Sequence, residues 1–262
     1  MKNKGLIVAG LALAMAAAAG ASQDRSVTLV DDYARLSARI DKARAAFRRG
    51  DLERTEREAR FCLDRLPAHH EAHLLMSQVL HKRGEFAGAL EHIEAAEAGY
   101  LELVEAAAAA RLRKMKQRAD HVADLIDEVD EAMAAELAAK SRGSCQVPAY
   151  TQIVQEAKAE LVKEQGWGES DQGEEISGVP ALYSQVHGNA LFRLGRQEEA
   201  EAQYRRAIRA DPAYGEAYNN LINILYSRKR LDEARDLVAR ADAHKAEIHP
   251  GLRKAVLESS GK

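Results

Sequence analysis

Residues 188–212, GNALFRLGRQEEAEAQYRRAIRADP, decide the fold of this 262-residue chain. Gly195 punctuates the stretch, because glycine accepts the left-handed backbone that ends a helix. Around it lie two apolar-periodic segments, so one helix ends at the glycine and a second returns antiparallel. Ala200 and Ala207, five and twelve places after the glycine, keep the contact line thin enough for the two helices to approach closely. The pattern then recurs. Gly195 aligns with Lys229, Gln197-Glu198-Glu199-Ala200 with Leu231-Asp232-Glu233-Ala234, Ala207 with Ala241 and Leu191 with Leu225, all at one common offset. Near the N-terminus Gly50 and Gly84 are separated by the same offset, followed by Thr55 and Ala89, then by Cys62 and Ala96. The period is about 34 residues, the length of one helix–turn–helix unit. A single hairpin cannot bury its own apolar stripe, so such a period implies stacked hairpins.

Gly188-Asn189-Ala190-Leu191-Phe192 with Gly195, Ala200, Tyr204, Ala207 and Pro212, continued by Tyr218, Leu221, Ala234 and Ala241, resembles the tetratricopeptide repeat family. The N-terminal hairpins, about 36–69 and 70–99, are a looser match. Arg39 and His73 stand where the family places a large aromatic, although Pro67 keeps the proline that ends a repeat. The resemblance implies an all-α fold, a solenoid of helical hairpins, and the broken register between the two repeat pairs adds a long-helix insert.

The insert interrupts the period. The separation of Gly84 from Gly195 exceeds three repeats and falls short of four. Neither Gly nor Pro occurs between Gly99 and Gly143, and apolar residues run from Leu101 through Val104, Ala108, Leu112 and Met115 to Leu137 in steps of three or four. That spacing describes one continuous helical stripe. A degenerate repeat turning near 118–121 is the alternative, but it has no turn former. A second helix follows over about 148–163, with Tyr150, Ile153, Val154, Ala157 and Leu161 on one side. Residues 165–180, acidic, glycine-rich and carrying Trp167, read as a linker. The expected order is a lead-in at 22–35, a repeat pair at 36–99, the helical insert at 100–164, the linker, a repeat pair at 181–246 and a capping helix at 247–262. On this reading the spacer holds two small arrays apart.

Composition agrees. Hydrophobic residues make up 46%, charged residues 30% and aromatics 5%, with five prolines, which favours helix nearly everywhere. The formal charge of −3 carries no global signal for nucleic acid. Residues 1–21 read as a secretory signal peptide: Lys2 and Lys4, the apolar run Gly5 to Met15, then Ala19-Gly20-Ala21 before Ser22. Loss of both lysines takes the charge to −5. A periplasmic or secreted location follows, with no stable membrane insertion after cleavage. In an oxidising compartment Cys62 and Cys145 invite a disulfide, while Cys62 equally suits a small buried position.

For function, Gln185, Asn189 and Phe192 recur one period later as Asn219, Asn223 and Tyr226, each set on one helix face. The resemblance implies that this face lines a groove for an extended peptide. Amides pair with any peptide backbone, Phe192 and Tyr226 supply apolar area, and Arg193 and Lys254 suit an acidic or C-terminal carboxylate. Asn189 and Asn220 match the asparagines of a carboxylate clamp known in the family, but Gln185 occupies the place of its first lysine. The alternative function is metal or small-ligand binding by the histidines: His69, His70 and His73, near His81 and His92, of which His69 and His73 lie one turn apart. No catalytic or nucleotide fingerprint is present. The expectation is a non-enzymatic scaffold for a protein or peptide partner, with no cofactor. An accessory subunit of an envelope complex fits the same residues.

Overall fold

A computed structural model describes residues 28–141 and 178–259. The signal-like segment, Cys145, the helix expected at 148–163 and the linker with Trp167 lie outside the described residues. The described residues are helical throughout, joined by short turns. Helix α1 spans 28–48. It is followed by α2 (Leu52–Leu63), α3 (His70–Arg83), α4 (Phe86–Ser141), α5 (Ala181–Arg193), α6 (Gln197–Ala210), α7 (Gly215–Ser227), α8 (Leu231–Ala243) and α9 (Pro250–Glu258). Among them no helix is long and apolar enough to cross a membrane.

The hairpin turns share one geometry. Gly50, Gly84 and Gly195 have φ of 78°, 83° and 80°, and Lys229, which aligns with Gly195, has φ 61°. In each turn two backbone N–H groups bond back to the helix just ended, as Gly195 N does to Phe192 O (3.0 Å) and Arg196 N to Leu191 O (2.9 Å). The fourth turn repeats both with Lys229 N to Tyr226 O (3.0 Å) and Arg230 N to Leu225 O (2.9 Å). The lysine therefore bears the left-handed penalty that glycine avoids. The next helix starts at once; α2 is capped by the Asp51 carboxylate, which accepts from Arg54 N at 2.9 Å.

Within a hairpin small residues form the contact line. Ala43, Ala59, Cys62 and Ala72 are fully buried in the first cluster, beside Leu36, Ile40, Leu75 and Met76. Burial also raises the Cys62 thiol pKa. In the third hairpin a Cβ on Gly188 would sit 2.6 Å from Tyr204 Cε1, so only glycine lets that ring lie flat against α5.

The long helix is present, and it begins earlier than the insert was expected to. The second helix of the second hairpin runs on without a break, giving one 56-residue element, Phe86–Ser141. The described residues form two compact units, and α4 belongs to both: Val27–Glu105 joins Ser177–Lys262, whereas Ala106 onward belongs to the other. In that second unit Leu112, Met115, Ile126 and Leu137 are exposed.

The expectation of two arrays held apart is corrected. The four hairpins stack as one body, because Leu74, Leu90 and Ile93 share a single apolar cluster with Val179, Tyr183, Leu191 and the rest of the C-terminal block through Val256. Polar contacts cross the same seam. Glu97 accepts from Arg206 (3.0 Å) and lies 3.3 Å from His187 Nδ1. The Arg193 guanidinium sits 4.6 Å from the centre of the Phe86 ring. The whole segment from Ala106 to Ile176 intervenes in sequence where other hairpins are joined by a short turn. At the far end α9 closes the stack with fully buried Val256.

Two substitutions test this geometry. Gly188→Ala presses a methyl into the Tyr204 ring and lowers stability by about 1–3 kcal/mol. Lys229→Gly relieves the turn and raises stability by about 0.5 kcal/mol, the left-handed penalty less the added unfolded-state entropy. Urea midpoints of the two proteins should move in opposite directions; a shared direction contradicts the assignment.

Candidate functional site

The first helices of the hairpins, α1, α3, α5 and α7, present equivalent positions along one side of the stack. The face is built differently from what the sequence alone suggests, because several of its amides are already engaged. Asn189 Oδ1 accepts from the Tyr204 hydroxyl (2.8 Å) and from Asn220 Nδ2 (3.0 Å). Those two bonds tie α5 to its own hairpin partner and to the next hairpin. Asn219 donates to Gly215 O (3.0 Å) and Glu247 O (3.1 Å), and accepts from His249 N (2.8 Å). It therefore fastens the chain entering α9. Tyr226 is half-buried and its hydroxyl accepts from Ser259 Oγ at 3.4 Å. Lys254 is exposed and lies 4.0 Å from the Glu258 carboxylate.

The remaining candidates face outward. Asn223 is exposed and Gln185 half-buried. Phe192 is 37% exposed, and Leu182, which the sequence reading passed over, is 39% exposed. Leu182, Gln185, Asn189 and Phe192 fall at steps of three and four on α5, so the signal for Leu182 was the spacing already used for its neighbours.

The second hairpin extends this face with stacked cations. Arg193 lies over Phe86, Lys82 Nζ is 5.4 Å from the Phe47 ring centre, and the His81 ring meets Phe86 edge-on at 5.2 Å. Each cation is held by a ring quadrupole while its N–H groups stay in water. Burial lowers the His81 pKa, and Arg193 and Lys82 add to that, so its ring is held neutral beside them.

The histidines do not assemble a metal centre. Among the described residues no group of three His, Cys, Asp or Glu side chains could hold an ion. His73 Nε2 is 2.8 Å from Pro67 O and its Nδ1 is 2.8 Å from His92 Nδ1, so both nitrogens are used. His70 Nδ1 pairs with the Tyr183 hydroxyl at 2.6 Å. His69 is 1% exposed and neither ring nitrogen has a partner. The metal- or ligand-binding reading of His69, His70 and His73 is therefore not supported: their rings point into packing contacts and local bonds, and converge on no common point.

His69 and His70 instead build an aromatic seam that joins the first hairpin to the second and the second to the third. The Tyr33 ring packs against His69 with centres 4.4 Å apart and planes tilted by 46°, and His70 contacts Tyr100 (5.3 Å) and Tyr183 (6.0 Å). The Tyr33 hydroxyl donates to Ala68 O (2.8 Å) and accepts from His70 N (3.0 Å). Burial draws the His69 and His70 pKa values down to about 4, with Arg44 adding a small push in the same direction.

That seam has a pH consequence. A lowered folded-state pKa means that the unfolded chain binds more protons between pH 6.5 and 4. Stability is then present above about pH 6.5 and is lost as pH falls toward 4, by on the order of 2–3 kcal/mol for each ring that must charge. Urea midpoints at pH 7, 5.5 and 4 should fall steeply for the native chain and less for His69→Phe. Identical pH profiles for the two proteins would sink the idea.

Residues 40–101 and 186–248 match the tetratricopeptide repeat family. Similar solved structures include a thermophilic TPR protein from Thermus thermophilus, at 17% identity and TM-score 0.36 over 85% of this chain and 97% of that one. They also include pilF of Pseudomonas aeruginosa, at 13% identity and TM-score 0.32 over 86% and 79% of the respective chains. The TPR2AB domain of yeast Sti1, solved in a pHSP90 complex, is 13% identical with TM-score 0.27 over 91% and 100%. No curated protein matches the sequence.

Proposed function

We propose, on the premise that two blocks of this chain are tetratricopeptide repeats, that it is a non-catalytic scaffold holding an extended peptide or protein segment along α1, α3, α5 and α7. Repeats of this family generally mediate protein–protein contacts. The observation that carries the assignment to this face is the exposed set Leu182, Phe192, Arg193 and Asn223, an apolar, cationic and amide combination on helices whose other sides are buried. Leu182 and Phe192 supply the desolvated anchors that dominate binding energy, and Asn223 and Gln185 supply backbone-pairing amides. Asn189, Asn219 and Asn220 act behind them by fixing the spacing of the helices. Lys82 and Arg193, held over aromatic rings, favour a partner with acidic residues.

On the same reading the protein works in a bacterial envelope. The support for this is the order of residues 1–21: two lysines, an apolar run and Ala19-Gly20-Ala21.

The face is tested by affinity capture from envelope extract. Wild-type protein should retain specific partners that the Phe192→Ala/Asn223→Ala variant binds about tenfold more weakly, the scale of losing one anchor. Equal capture by both proteins, each with native helicity, removes the groove from this face. Export is tested by fractionation and mass: the mature chain should begin at Ser22 and leave the cytosol. A full-length cytosolic product contradicts it.

A further inference from the structure

Arg39 is an anomaly in the repeat pattern. Its place in the first hairpin is occupied in the fourth by Tyr218, which is completely buried. In the structure Arg39 borders a cavity of about 490 Å3 lined by Asp32, Arg35, Leu36, Arg39, Phe61 and Arg65. The α1 residues fall at steps of three and four on one face, and Phe61 and Arg65 lie one turn apart on α2. None of the six belongs to the proposed peptide face.

The two guanidinia nearest the ring are held in place. Arg39 Cζ lies 4.1 Å from the Phe61 ring centre and Arg65 Cζ lies 3.5 Å from it. Contact through the guanidinium plane leaves the in-plane N–H donors free to bond elsewhere. Few of these donors are used. Arg39 donates to Glu58 at 2.8 Å and Arg65 to the Phe61 carbonyl at 3.3 Å, while Arg35 pairs with Asp32 at 3.2 Å. Arg65 has no ion pair among the described residues. Three guanidinia therefore meet two carboxylates, Asp32 and Glu58, and the cavity keeps one uncompensated positive charge. Leu36 supplies an apolar wall beside the ring.

We propose that this cavity binds a small organic carboxylate, its oxyanion held by Arg65 and Arg35 and its hydrocarbon body against Leu36 and the edge of Phe61. The volume falls in the range of small-molecule sites. The single surplus charge matches a monoanion. A phosphate dianion would be left half-neutralised. The planar fork of arginine donors suits a carboxylate, which takes two parallel N–H bonds.

Benzoate is the probe, titrated into the full chain at pH 7 and low ionic strength, with binding read by calorimetry and by amide shifts at residues 32–39 and 61–65. Binding should saturate and weaken about tenfold in Arg65→Gln, the scale of one charge-assisted hydrogen bond. Arg35→Gln, at a side chain 76% exposed, should weaken it without touching the fold and so serves if Arg65→Gln loses helicity. Neutral benzamide should not bind, and inorganic phosphate should bind less tightly than benzoate. Absence of benzoate binding overturns the proposal. So does equal binding of benzamide, tighter binding of phosphate, or benzoate affinity unchanged in both variants.

Discussion

The close approach of paired helices is the constraint on which everything else rests. Where α5 meets α6, Gly188 lets the Tyr204 ring lie against the helix, and the hydroxyl at the far end of that ring reaches Asn189. Asn189 in turn accepts from Asn220 on the next hairpin. Steric permission at one glycine thus becomes a hydrogen-bonded spacing between successive hairpins. Remove the permission and the amide that sets the repeat-to-repeat distance loses its anchor. Fully buried alanines at 200, 207, 234 and 241 extend the same logic, because a thin contact line buries backbone-flanking surface without a deep core.

Stacking is settled by what each hairpin leaves uncovered. The second hairpin presents Leu74, Leu90 and Ile93 as an apolar face, and the third covers it with Val179, Tyr183 and Leu191. Glu97 is drawn below the usual carboxylate range despite its burial, because His187 and Arg206 bond to it across that seam. A half-buried carboxylate with two partners from the other block specifies register as well as contact, since a shift of one turn would strand it.

Much of this was legible in the residues. The common repeat offset, the turn glycines and the small residues after them are local signals, and local signals determine helices and hairpins. The long helix was legible because nothing between Gly99 and Gly143 could end it. Its true start was not, since Phe86 to Tyr100 reads equally well as the second helix of a repeat, and both statements hold of one element. The union of the two arrays was hidden because apolar stripes announce that they must be covered without naming the cover. The asparagines carry a related ambiguity: an amide bonds a ligand or a neighbouring helix with the same chemistry, and only the folded chain shows Asn219 engaged by Glu247 and His249. The histidines were read by spacing, whereas their burial and the Tyr33, Tyr100 and Tyr183 rings around them depend on chain segments remote in sequence.

The chain departs from the stack after the second hairpin and rejoins it at the third, and these two places touch: the rings of Tyr100 and Tyr183 are 5.6 Å apart. To the repeat body, the segment between them is a connection whose two ends the stack itself holds together. Changes confined to the segment from Ala106 to Ile176 therefore leave in place the contacts that hold the four hairpins together.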